Sequence, residues 1–204
     1  MNNIMGKHVF SGLAGSGMGE NDLLKLLDRK IRLCKNCDLC ELPYNKSDIK
    51  KGYGKLLGWK GGNKPTKYFF VGLNPSYNRF KNLKYAFGGL NFKDGTGAEF
   101  IEMLKNIGIL EESYVTNLVK CSSQSNDITY QQFLVCVRFL KVELMLQKPD
   151  IVIALGNKVD SCLTKTDINV RYIYRTVHHP NYVISYKRDK MFEYIENLKR
   201  LTSG

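Results

Sequence analysis

K-Y-F-F-V-G-L-N-P-S, residues 67–76, is the stretch that decides the fold. Its apolar run at residues 68–71 is unbroken, as is typical of a strand buried on both faces of a parallel sheet. The run ends at a glycine, after which an asparagine and a proline follow. Because parallel sheets bind ligands beyond the carboxyl ends of their strands, we expect chemistry just past this run. Asn74 is the candidate residue there, and a plain strand-to-turn exit is the alternative reading.

Similar apolar runs recur along the chain, between segments whose apolar residues have helical spacing. Further strands are predicted at 114–119, 150–155 and 170–174. Helices are predicted at 20–33, 98–107, 130–146 and 190–201. Strands that alternate with helices of this length form a parallel sheet with helices on both faces. The sequence therefore predicts an α/β protein: a three-layer α/β/α sandwich around a mainly parallel, four-stranded sheet.

The length of the chain, 204 residues, suits one well-buried core better than two full domains. Residues 11–19 are rich in glycine, and only a short apolar run at residues 8–10 leads into them. We therefore expect a flexible N-terminal arm at 1–19, a single domain at 20–204, and a monomer.

The charge of the chain is strongly positive, with 31 Lys and Arg against 19 Asp and Glu, a formal +12. Such a balance favours a polyanionic partner. Residues 42–65 add a lysine-rich stretch that suits either a loop facing nucleic acid or a solvated connection. The sequence has no apolar run of about eighteen residues, no amphipathic membrane helix and no signal-peptide core. A cytoplasmic protein that binds nucleic acid and no membrane is predicted.

Six cysteines are present, and C-K-N-C-D-L-C at residues 34–40 places three of them at intervals of three residues. A C-x-x-C turn directs two sulfurs at one centre, so metal or redox use is favoured over coincidence. Structural disulfides are not expected in a cytoplasmic chain.

The motifs at the predicted strand ends resemble the uracil-DNA glycosylase superfamily, in particular its iron-sulfur branch. G-L-N-P-S at 72–76 resembles the first signature of that superfamily, and H-P at 179–180 resembles the second. T-N-L-V-K-C at 116–121 is similar to the Asn-containing strand of the iron-sulfur branch. The resemblance covers residues 34–201. That branch usually carries Glu and Ala in its first motif, whereas Asn74 is closer to the mismatch-specific and single-strand-selective branches.

The resemblance implies a DNA glycosylase that flips a pyrimidine, uracil by preference, hydrolyses its N-glycosidic bond and leaves an abasic site. Asn74 would hold the attacking water through its side-chain carbonyl. His179 would hydrogen-bond the pyrimidine O2 as negative charge develops on the leaving base. Asn117 would read the edge of the base, because an amide is both a donor and an acceptor.

Further substrate contacts are implied at Gly72, Leu73, Ser76 and Phe87. Phe87 would stack on the flipped base, although ordinary core packing is nearly as good an explanation. The small side chain of Ser76 leaves space beside the pyrimidine C5. One alternative function is therefore the excision of C5-modified pyrimidines from phage DNA in antiviral defence. Another is a DNA-binding member of the same fold with weak or no catalysis.

The resemblance also implies a ligand set for a [4Fe-4S] cluster. The ligands would be Cys34, Cys37, Cys121 and Cys136. A zinc site with the same four sulfurs is the alternative. Cys162 is expected in the core, and Cys40 is either exposed or an alternate ligand.

Overall fold

The computed structural model of the chain describes residues 19–41, 57–75, 95–123 and 127–202. The strands within these ranges are β1 (Trp59–Lys60), β2 (Tyr68–Gly72), β3 (Ser113–Asn117), β4 (Ile151–Leu155) and β5 (Ile173–Val177). The α-helices are α1 (Glu20–Arg32), α2 (Gly95–Asn106), α3 (Tyr130–Gln147), α4 (Asn157–Leu163), α5 (Ile168–Arg171), α6 (Pro180–Tyr186) and α7 (Met191–Thr202). Short 3-10 helices lie at Asp38–Glu41, Leu110–Glu112 and Arg188–Lys190.

The strands form one sheet in the order β1-β3-β2-β4-β5. Strands β2 to β5 run parallel, and β1 lies antiparallel at the edge beside β3. The chain leaves β2 toward β3 on one side and later crosses back to β4 on the other side. Connections thus diverge between β2 and β4, and in open α/β sheets such a point opens a crevice at the carboxyl ends of the strands.

The mainly parallel sheet and its four predicted strands are confirmed, and the sheet contains one strand more than predicted. Strand β1 has only two residues, and Trp59 pairs with Val115 of β3. A strand this short is defined by its partner, so its own sequence shows no alternation. The predicted strand at 170–174 begins later, at Ile173, because Ile168–Arg171 forms a helix.

Helices cover both faces of the sheet, which confirms the three-layer architecture. Phe70 faces the core shared with α2, α6 and α7, and its neighbour Phe69 faces the core shared with α3, α4 and α5. Successive strand residues point to opposite faces, so one apolar strand supplies both cores. Helix α1 packs outside α3, where Leu27 and Ile31 contact Phe139.

Within the described ranges, no helix combines the length and the apolar character that crossing a membrane requires. Residues 1–18 of the predicted arm lie outside the described residues. The division into an arm at 1–19 and a single domain at 20–204 therefore stays a prediction.

Candidate active site

The carboxyl ends of β2 and β3 place the first group of predicted site residues side by side. Gly72 lies directly opposite Asn117 in the register of the two strands. The pairing continues past the strands, where Leu118 N donates to Gly72 O at 2.7 Å and Val119 N to Leu73 O at 2.9 Å. The turn that carries Asn74 is therefore anchored to the segment that follows β3.

Asn74 is half-buried, and its Nδ2 donates to Pro75 O at 3.2 Å. This bond orients the amide, whose carbonyl oxygen is the acceptor that a water-holding role requires. Asn117 is only 2% exposed, so a polar side chain is buried at the strand end. Buried amides are retained where they have hydrogen bonds to make, which fits a role in recognition.

His179 forms the N-cap of α6, and its Nδ1 accepts from Asn181 N at 3.1 Å. Burial lowers the pKa of His179 from 6.5 to about 4. The ring is therefore neutral at pH 7. Because Nδ1 accepts a hydrogen bond, the single ring proton lies on Nε2, and the imidazole presents an N–H donor there.

Gly156 lies beside the candidate residue His179 and was not singled out from the sequence. It follows β4, has φ +99°, and would place a Cβ only 3.4 Å from the Cβ of His179. Its N–H donates to Val177 O at 2.7 Å, which fixes the chain just before His179. The available signal was a buried run that ends at a glycine, the same signal that identified Gly72. A left-handed φ against a close neighbour requires glycine.

The sheet order sets the width of the site. Strand β4 separates β2 from β5, so Asn74 and His179 leave the sheet from strands about 10 Å apart. Gly72, Leu73, Asn74 and Asn117 are thus brought together directly, and His179 lies at the same edge two strands away. Two other predicted contacts, Ser76 and Phe87, lie outside the described residues. The chemical role of each residue stays a prediction.

Three of the four predicted metal ligands gather in one small cluster. Cys121 and Cys136 are buried with Leu39 and Val119, and Cys37 packs against them. Burial raises the pKa of the Cys136 thiol to about 11. A thiol in this state stays protonated at neutral pH unless a cation or a metal stabilises its thiolate.

Cys34, the fourth predicted ligand, packs against the neighbouring cluster that contains Leu27, Ile31 and Phe139. The thiol of Cys34, like that of Cys37, is close enough to contribute to the raised pKa of Cys136. The Arg138 guanidinium lies 3.8 Å from Cys34 Sγ, measured from Nη2. Arg138 Nε is buried without a hydrogen-bond partner among the described residues. A cation therefore faces the cysteines from α3.

The first turn of α3 explains how Cys37 comes to face Cys136. Thr129 and Gln132 form a reciprocal capping box that begins the helix. The Gln132 side chain also donates from Nε2 to Asp38 Oδ1 at 2.9 Å. Because Gln132 and Cys136 are four residues apart, they share one helix face. The sequence signal was T-x-x-Q at 129–132.

Among the described side chains, no group of three or more His, Cys, Asp or Glu is arranged to hold a metal ion. The side chain of Cys40 lies outside the described residues. Cys162 packs against the core beneath α4 and takes no part in the cysteine cluster. The four predicted ligands thus lie near one another, but their side chains are not arranged around one metal-ion position.

Known proteins are similar to this chain over most of its length. Residues 59–200 match the model of the family described as the Uracil DNA glycosylase superfamily. A curated Type-4 uracil-DNA glycosylase of Thermotoga maritima is 28% identical over 137 residues, 66% of this chain and 62% of that protein. The chain thus spans less than two thirds of this relative's length. The crystal structure of wild-type Pedobacter heparinus SMUG2 has a TM-score of 0.49 and 16% identity, covering 68% of this chain and 75% of that one.

Proposed function

The chain belongs to the uracil DNA glycosylase superfamily, and we propose that it is a DNA glycosylase that removes a flipped pyrimidine, uracil by preference. One observation carries the proposal: Asn74 and Asn117 lie on adjacent strand ends, with a neutral His179 at the same edge of the sheet. The groups proposed to hold water, read a base and donate to a leaving base thus lie along one edge of the sheet. The name of the curated relative, a uracil-DNA glycosylase, supports the same reaction.

The proposed chemistry is hydrolysis of the N-glycosidic bond. The sugar gains oxocarbenium character as the bond breaks, and the base departs with negative charge on its oxygens. The Nε2–H of His179 donates to the pyrimidine O2 and stabilises that charge. Asn74 accepts a hydrogen bond from the attacking water and aims it at the sugar. An amide cannot take the proton of the water, so leaving-group stabilisation supplies the larger part of the rate enhancement.

Asn117 gives the site its preference for uracil in this proposal. Uracil presents an N3–H donor beside the O4 acceptor, which an amide matches with its oxygen and its nitrogen. Cytosine presents the reverse pattern. An amide held in one orientation therefore accepts uracil and leaves two polar groups unpaired against cytosine, a mismatch that costs several orders of magnitude in rate.

The same proposal assigns the cysteines to a [4Fe-4S] cluster, with zinc as the alternative. Four thiolates are the usual donor set for such a cluster, and each of them binds a different iron. The Arg138 guanidinium beside Cys34 would offset one of the negative charges that these thiolates bring. The bound cluster would act as a covalent link between the end of α1, the segment after β3, and α3. It supplies no step of the hydrolysis.

DNA is the proposed partner, and the formal charge of +12 supports it. Phosphate contacts release counterions, so affinity falls steeply as salt is raised. The proposal includes a monomer that acts in the cytoplasm.

Base release from a panel of oligonucleotides, measured by mass spectrometry, tests the proposal. The panel contains uracil opposite guanine, uracil in single strands, thymine, cytosine, and cytosine with a bulky C5 group. We expect free uracil from the first two substrates, released at least about a hundredfold more slowly after the Asn74→Ala change. Release only from C5-modified DNA would replace uracil by the modified base as substrate. Binding without any release would make the protein a DNA-binding member of the fold.

A further inference from the structure

Lys120 and Glu143 form a fully buried ion pair that the proposed chemistry does not use. Their side chains are 1% and 0% exposed, and Lys120 Nζ contacts Glu143 Oε2. Charged residues are almost never buried to this degree unless they are paired. Lys120 follows the site residue Asn117 by three positions, and Glu143 lies on α3.

The ammonium group of Lys120 uses all three of its hydrogens. Besides Glu143, it donates to Thr116 Oγ1 and to the backbone oxygen of Asn117, each at 2.7 Å. The side chain therefore folds back across the turn that ends β3 and binds the residues three and four positions before it. This clamp fixes the peptide group that follows Asn117. Because the side chain of Asn117 is attached at the adjoining Cα, its direction is restricted as well.

Glu143 is held just as completely on its other side. Its carboxylate accepts from Gly58 N at 2.9 Å, Tyr114 OH at 3.2 Å and Thr116 Oγ1 at 3.0 Å. A Cβ on Gly58 would lie 2.3 Å from the ring of Tyr114, so only glycine brings this backbone N–H to the carboxylate. The anchor for Lys120 is therefore rigid and fully hydrogen-bonded.

The main chain of Lys120 points to the other region of interest. Its backbone N–H donates to the Cys136 thiol, and the next residue is Cys121. Lys120 is thus bonded through its side chain to Asn117 and through its main chain to the cysteine cluster.

We propose that Lys120, held by Glu143, is a positioning residue that sets the orientation of Asn117 for reading the base. The effect of Lys120 on catalysis rests on the proposed function, whereas the hydrogen bonds that hold Asn117 do not depend on it. Stability alone is a poor reason for such a pair, because well-packed apolar residues of similar volume often serve as well or better. A direction for the Asn117 peptide, by contrast, needs a donor at one defined point.

Three variants separate positioning from simple stability. Lys120→Met keeps the length of the side chain and leaves Glu143 unpaired. The double variant Lys120→Met/Glu143→Gln removes both charges. No unpaired charge is then buried, but Lys120 still does not hold Asn117. Lys141→Met is the matched control, since Lys141 lies on α3 with Glu143 and pairs with Asp167 at 2.7 Å in an exposed position.

We expect Lys120→Met to lower the melting temperature by about 10 °C, because an unpaired buried charge is strongly destabilising. In the double variant most of this loss should return. Its single-turnover excision of uracil should nevertheless stay about tenfold to a hundredfold slow, as expected of a misplaced substrate contact. DNA affinity should change less than about twofold, because phosphate contacts dominate it. Lys141→Met should match the wild type in all three measurements.

Recovery of the excision rate together with the melting temperature in the double variant would overturn the inference. Hydrogen exchange of residues 116–120 gives a readout that does not depend on activity. We expect faster exchange there in the double variant, and exchange at the wild-type rate would also overturn the inference. If the wild type releases no base while exchange is faster in the double variant than in the wild type, the proposed function fails and the clamp stands. Should the double variant not fold, the single variant Glu143→Gln is measured in its place. An excision rate equal to that of the wild type would then overturn the inference.

Discussion

Asn117 and Cys121 are only four residues apart, yet they are held by different means. Asn117 ends a strand that is paired on both sides, with β1 and with β2. Cys121 belongs to a cluster that also contains Cys37, which follows α1, Leu39 of a short 3-10 helix, and Cys136 of α3. Strand register fixes the backbone of the first residue. The cysteines are gathered by contacts between separate segments, such as the Gln132–Asp38 hydrogen bond.

We expect this structural difference to separate the two regions in function as well. A sheet holds the backbone of its strand ends to within a narrow range through many hydrogen bonds. Contacts such as the Lys120 clamp then set the orientation of the candidate site residues there. Segments that meet only through a few side chains gain most from a metal link. Damage to the strand ends should therefore appear in chemistry, and damage to the cysteines should appear in stability.

Loss of the Asn74 amide should have the largest effect on chemistry. We expect Asn74→Ala to slow single-turnover uracil excision at least about a hundredfold, since water positioning is lost in the transition state. DNA affinity should stay near that of the wild type. Asn106→Ala, an exposed asparagine at the end of α2, is the control and should be fully active. Near-normal excision by Asn74→Ala would remove Asn74 from its assigned role.

Replacement of Cys121 should affect stability most. The wild type should be brown, with broad absorbance at the blue end of the visible spectrum. Cys121→Ala should lose this colour and roughly 3 kcal/mol or more of unfolding free energy, because the link between distant segments is lost. Cys162→Ala, a half-buried thiol elsewhere, should keep the colour and lose only about 1 kcal/mol. A colourless wild type containing zinc would favour the alternative metal.

Acidification tests the neutral state of His179. The pKa of His179 is 6.5 when unfolded and about 4 when folded, so the unfolded chain takes up the proton first as pH falls. The stabilising contribution is complete above pH 6.5, decreases between pH 6.5 and 4, and reaches a loss of about 3 kcal/mol below pH 4. Urea unfolding at several pH values measures this slope.

Two histidine variants show whether that slope belongs to His179. His179→Asn should flatten it, since asparagine caps α6 equally well and does not titrate. His178→Asn, at the neighbouring exposed position, should leave it in place. An unchanged slope in His179→Asn would assign the pH dependence to other groups.

The smallest expected effect concerns the capping box of α3. Thr129→Ala should cost about 1 kcal/mol of unfolding free energy, because Gln132 N loses its acceptor at 3.2 Å. The excision rate should not change, since this turn supports the cysteines and not the strand ends. Thr164→Ala, on the exposed end of α4, serves as control and should be neutral. A slower excision rate in Thr129→Ala would break the separation between the two regions.

Local patterns were sufficient for most of the fold. The strands β2, β3 and β4 are buried on both faces, so each could be predicted from its local sequence without knowledge of the neighbouring strands. Strand β1 was not, because two residues become a strand only when β3 lies beside them. Strand β5 alternates between exposed and half-buried residues, so no continuous apolar run marks its beginning. The predicted start lies three residues too early for this reason.

The sequence by itself determined which residues follow the strands, and so identified Gly72, Asn74, Asn117 and His179 as candidates. Glycine, asparagine and histidine–proline after an apolar run are local signals. Only the tertiary structure decided that Gly72 faces Asn117, that burial keeps His179 neutral, and that Lys120 is clamped by Glu143. Strand order, burial and ion pairing depend on residues that are far apart in the chain, and no local pattern specifies which of them will meet.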